Sequence, residues 1–161
     1  MTFLRFIILL ALAVWIGALV FFPVVAQISF TVLPSTHLAG LVVRNCLIAL
    51  HWMGIVAGII ILICSMIDNR VTVGRARIFA LSHIFIGLML ALTAISQFWI
   101  IPRMDVLRIT AGAISVLPAG DPIRGQFDAL HAWSTRIEMG VLVLGIIVLY
   151  SVAHRLSTSR T

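Results

Sequence analysis

Lysine is absent from this chain of 161 residues, and all 11 basic side chains are arginine. That removes lysine Schiff-base chemistry and the phosphate-loop lysine together. Acids are almost as scarce, with 5 Asp and Glu. Charged residues make up 10% of the chain, against about 25% in soluble domains. Two cysteines, Cys46 and Cys64, stand 18 positions apart in one apolar run. On a helix that is about 27 Å, too far for a disulfide, so both read as small hydrophobes. No HExxH, GxSxG or nucleotide-binding glycine loop occurs. Ser134 has His131 three positions before it but no third group placed to orient the imidazole, which argues against a hydrolase.

What fills the chain instead is apolar sequence, 62% of all residues. Four nearly charge-free runs lie at Phe6–Val32, Asn45–Ile67, Ile78–Ile101 and Ile137–Ala153. A bilayer core takes about 20 helical residues to cross. The expected fold is therefore all-α: an integral-membrane four-helix bundle, up-down-up-down, with a long third connection. It forms a single transmembrane domain over residues 1–161, with helices at about 4–32, 41–67, 77–101 and 127–154. The first run exceeds the 7–15 apolar residues of a signal peptide and reads as a retained span. Pro23 within it predicts a kink or a local loosening. A short interfacial helix is expected around Met104–Ile114 within the third connection, since Arg103, Asp105 and Arg108 interleave with apolar residues.

The net charge of +6 does not imply nucleic acid, because the arginines stand singly at helix ends and suit anionic lipid. With an even number of crossings, both termini share a side with Arg70, Arg75 and Arg77. This dense basic turn places the termini in the cytoplasm. A bacterial inner membrane is the expected location.

Polar residues inside a bilayer are costly and ask for a reason. His51 and His131 are expected at comparable depth, approaching each other near the non-cytoplasmic side with Glu138 below them, in a polar pocket lined also by Gln97 and Ser134. Gly54 and Gly58 lie on the His51 face of the second helix. Three readings compete. The residues are interhelical hydrogen-bonding glue. Or His51 and His131 are paired axial ligands of a tetrapyrrole such as haem b, or of a metal ion, with the glycines clearing space. Or the histidines and Glu138 form an ion or proton path. His83 with Gly87, Ala91 and Ala94 forms a small-residue stripe expected to be a packing seam. Pro102 is expected to end the third helix, with Arg103 and Arg108 reaching Asp105, Asp121 and Asp128 to pin the connection over the bundle.

The stretch RFIILLALAVWIGALVFF from Arg5, Leu50-His51-Trp52, Ser96-Gln97 leading to Pro102-Arg103-Met104 and Leu107-Arg108, and Phe127-Asp128-Ala129-Leu130-His131 with Ser134 resemble a known family. It is the domain of unknown function 4149, or transmembrane-protein-205-like, family. The resemblance implies a four-helix membrane protein without an established activity, and a loose connection to metals or membrane traffic. Glu138 departs from it, since family members often carry Asn there. The leading expectation is a non-catalytic accessory or scaffold subunit, with the bilayer and membrane proteins as partners, holding a cofactor or metal in the His pocket. The alternative is a stand-alone haem-binding or metal-handling protein.

Overall fold

The computed structural model describes residues 2–73 and 81–158. These form α1 (Thr2–Val32), α2 (Thr36–Val73), α3 (Leu81–Ile95), α4 (Ile101–Ala111) and α5 (Pro122–Thr158). A π-helical segment, Ser96–Ile100, joins α3 to α4, and a 3-10 turn, Ile114–Val116, lies between α4 and α5. Arg75, Arg77, Arg160 and the expected first residues of the third helix, 77–80, lie outside the described residues. Four stretches are long and apolar enough to cross a membrane: Phe3–Val32, Thr36–Asp68, Leu81–Ala111 and Pro122–Ala153. α1 packs on α2, α2 on α3, α3 on α5, and α5 back on α1, which closes the bundle.

The helices outrun the apolar stretches because local signals set their ends. Ser35 caps α2, accepting from the Leu38 N–H at 3.2 Å, so α2 starts at Thr36, earlier than the expected position of about 41. Asp121 does the same for α5, accepting from the Ile123 N–H at 2.8 Å, with Pro122 in the first helical position. Gly112, at φ +70, ends α4, and its N–H returns to the Arg108 carbonyl at 2.8 Å. The third connection is therefore Gly112–Asp121 rather than Pro102 to Asp128. α1 runs unbroken through Pro23.

Pro102 does not end the third helix. The span continues through it as one helix, Leu81–Ala111, so the separate interfacial helix expected at Met104–Ile114 is instead the end of that span. Proline lacks an N–H, and its ring clashes with the carbonyl four residues back. The widened turn just before it, with the Ile101 N–H donating five residues back to Ser96, accommodates that ring within the span.

One half of the bundle is tightly packed around Trp15, which is 0% exposed. Its indole lies against Gly54, where a Cβ would overlap Nε1. A Cβ on Gly58 would stand 2.6 Å from Leu90 Cδ2 and 3.0 Å from Trp15 Cζ3. The room left by these glycines is filled by Trp15 of α1 and Leu90 of α3. Leu12, Ile61, Ile86, Met89 and Val148 complete this core. Without a hydrophobic force between helices in lipid, such close van der Waals contact is what holds the seam.

The His83 stripe is split. His83 turns inward to Ser65, with Nε2 2.8 Å from the hydroxyl, while Gly87 and Ala91 face outward. Ion pairs mark both ends of the packed spans: Arg5 with Asp68 at 3.5 Å, and Arg44 with Asp105. On α2, Arg44 and Asp68 are 24 residues apart, about 36 Å, somewhat more than a hydrocarbon core. Trp52, Trp99 and Trp133 lie exposed on the outside, as in an aromatic belt.

Candidate functional site

His51 is 0% exposed and bonded on both ring nitrogens. Nδ1 lies 2.9 Å from Gln97 Oε1, on the π segment, and Nε2 lies 2.7 Å from Glu138 Oε1, on α5. Three spans are thereby tied at one point, about 10 Å along α2 from Arg44. Which ring nitrogen donates and which accepts is set by the imidazole tautomer, and either way both nitrogens are occupied. The widened turn before Pro102 is what presents Gln97 to this bond.

Glu138 also borders open space. A cavity of about 600 Å³ begins there and runs to the end of the bundle that carries the first and third connections. Such a volume lies within the range of small-molecule sites. Its α1 wall is apolar: Leu19, Phe22, Pro23, Ala26 and Phe30. Facing them are Arg44, Asp105 and Arg108 of α2 and α4, and Arg124, Asp128 and His131 of α5. The cavity is amphipathic by construction, because α1 carries no charge beyond Arg5.

The charges at the rim are ordered by one carboxylate. Arg44 grips both oxygens of Asp105, with Nε to Oδ1 at 2.5 Å and Nη2 to Oδ2. Arg108 is left 3.9 Å from Asp105 Oδ1, with its guanidinium 5.0 Å above the Phe127 ring. Arg124 donates to the Leu117 carbonyl at 2.8 Å and stands 3.9 Å from Asp128.

The residues named from the sequence divide accordingly. His51, Gln97 and Glu138 meet. Ser134 is buried and lines the cavity. His131 is exposed at the rim and stacks on Phe127, centroids 6.5 Å apart and planes 4° from parallel. No hydrogen bond joins His131 to His51 among the described residues, and His51 does not line the cavity. An axial ligand pair would require His51 to give up Gln97 or Glu138. Among the described residues no group of three or more His, Cys, Asp or Glu is arranged to hold a metal ion. Arg103 does not reach an acid. It is exposed, and its guanidinium lies 3.8 Å from the Trp99 ring centroid. Arg108 does reach Asp105, but Arg44 is that residue's main partner. Sequence reasoning missed Arg44, because the 61 positions separating it from Asp105 leave no periodic trace. It also missed the α1 wall, whose residues look like any lipid-facing surface.

The family described as domain of unknown function DUF4149 matches residues 10–113, more than half of the chain. The match holds α1 from Leu10, all of α2, α3 and α4, and hence His51 and Gln97; Glu138 and the rest of α5 lie beyond it. No curated protein and no solved structure matches the chain significantly. A four-span membrane protein by its helices, the chain belongs to the DUF4149 family.

Proposed function

We propose that this is a non-catalytic membrane protein that holds a small amphiphilic ligand between its helices, as an accessory component of a larger membrane assembly. The observation that carries this reading is the cavity of about 600 Å³, apolar over most of its lining, with Arg44, Asp105, Arg108, Arg124 and Asp128 at the end near the first and third connections. A ligand with one apolar and one polar end would match both parts, whereas a hydrocarbon or water alone would match one. The accessory role is supported by how little of the described chain lies outside the helices. With both termini cytoplasmic, the cavity end lies on the opposite face of the membrane.

Purification from membranes in a mild non-ionic detergent, followed by solvent extraction and mass spectrometry, tests the reading. The unaltered protein is expected to release a stoichiometric small molecule, and Ala26→Trp, which fills the cavity from the α1 wall, to release none. Equal recovery from both would refute it. The alternative, a haem-binding or metal-handling protein, draws on the deep burial of His51. A Soret band in the purified chain, lost in His51→Ala, would favour it.

A further inference from the structure

We propose that the cavity selects an amphiphile with an anionic head group, bound at Arg108 with its apolar chain along α1; this rests on the ligand-holding reading above. The acids around the cavity differ in what they have left to offer. Both oxygens of Asp105 are taken by Arg44. Glu138 is bonded to His51. Asp128 is 66% exposed and stands beside Arg124. Arg108, by contrast, is only 18% exposed, borders the cavity and makes no hydrogen bond among the described residues. Its nearest carboxylate oxygen is 3.9 Å away, beyond hydrogen-bond reach.

A guanidinium offers five donors in a planar fork suited to carboxylate or phosphate. Held on Phe127 and partly withdrawn from water, it would gain most from an anion arriving with its own apolar cover. At the rim itself Arg44, Arg108 and Arg124 stand with Asp105 and Asp128, while Glu138 lies deeper against His51, so the rim favours an anion over a cation.

Titration calorimetry in non-ionic detergent tests this with the unaltered protein and four probes of equal chain length: palmitate, palmitoyl lysophosphatidate, hexadecanol and hexadecyltrimethylammonium. Palmitate or the lysophosphatidate is expected to bind at least about tenfold more tightly than the alcohol or the cation. Whichever of the two anions binds better identifies carboxylate or phosphate as the head group. Arg108→Gln should erase that preference, and Arg103→Gln should keep it. If all four probes bind alike, or the cation binds best, the anion inference falls while the ligand-holding reading stands. If none binds, the anion inference falls, and if the purified unaltered protein also releases no small molecule, the ligand-holding reading falls with it. Because head-group selectivity is measured on the unaltered protein, poor folding of Arg108→Gln would not leave the inference untested.

Discussion

The two halves of the bundle are built from the same helices and similar apolar residues, yet one is closed and the other open. In the closed half Trp15 seats on Gly54 and Gly58, and Gly145 admits Ile16, whose Cγ1 would lie 3.1 Å from a Cβ there. In the open half α1 presents Phe22, Pro23, Ala26 and Phe30 to charged residues across a cavity. Small residues facing one large one draw the helices together. Large apolar residues facing arginines do not, because an ionised guanidinium is costly to bury among aliphatic groups without a partner. The His51, Gln97 and Glu138 bonds stand where the cavity meets the core, tying α2, the π segment and α5.

The largest effects should come from the closed half. Trp15→Ala is expected to cost about 3 kcal/mol in detergent unfolding, from the void it leaves. Gly54→Ala should cost about 1–3 kcal/mol in the unaltered chain, since its Cβ overlaps the indole, and much less once Trp15 is alanine. Additive losses would show that the two residues do not form one seam.

At the junction, Glu138→Leu removes one of two partners of a fully buried imidazole and should cost about 1–3 kcal/mol. Glu138→Gln, whose amide can still donate to Nε2, should cost clearly less. Equal losses would mean that the volume of this side chain matters and its hydrogen bond does not.

At the rim the expected order is Arg44→Ala over Arg103→Ala. The first frees a carboxylate gripped on both oxygens and should cost about 1–2 kcal/mol. The second removes an exposed cation from the face of Trp99, about 0.5–1 kcal/mol. The reverse order would return Arg103 to the pinning role that the sequence suggested. The smallest change is expected inside the cavity. Ala26→Leu should shift stability by less than about 0.5 kcal/mol, because there is room for it, while Val148→Phe in the closed core should cost about 1–3 kcal/mol. Similar costs would erase the difference between the halves.

The spans were legible because a bilayer imposes a length of uncharged sequence that nothing else in the chain imitates. Their ends were less so, although Asp121-Pro122 and Gly112 carried ordinary cap signals within segments too polar to stand out. Pro102 was read as a stop when it marks a widened turn, since sequence alone does not tell whether a proline breaks a helix or bends it. His51, Gln97 and Glu138 stood out as polar residues in apolar runs. The arrangement of His131 did not, because depth along a helix says nothing about which side a ring faces. The Arg44–Asp105 grip and the α1 wall depend on how helices meet, and no spacing within one helix records that.

Thiol labelling tests the open and closed halves most directly. In a chain lacking Cys46 and Cys64, Ser134→Cys places a thiol on the cavity wall and Leu12→Cys places one in the Trp15 core. A small water-soluble methanethiosulfonate reagent is expected to modify the first at least about tenfold faster than the second, and Ala26→Trp to suppress that reaction. Equal rates at both positions, or no reaction at position 134 with the cavity unfilled, would contradict an open, ligand-accepting half.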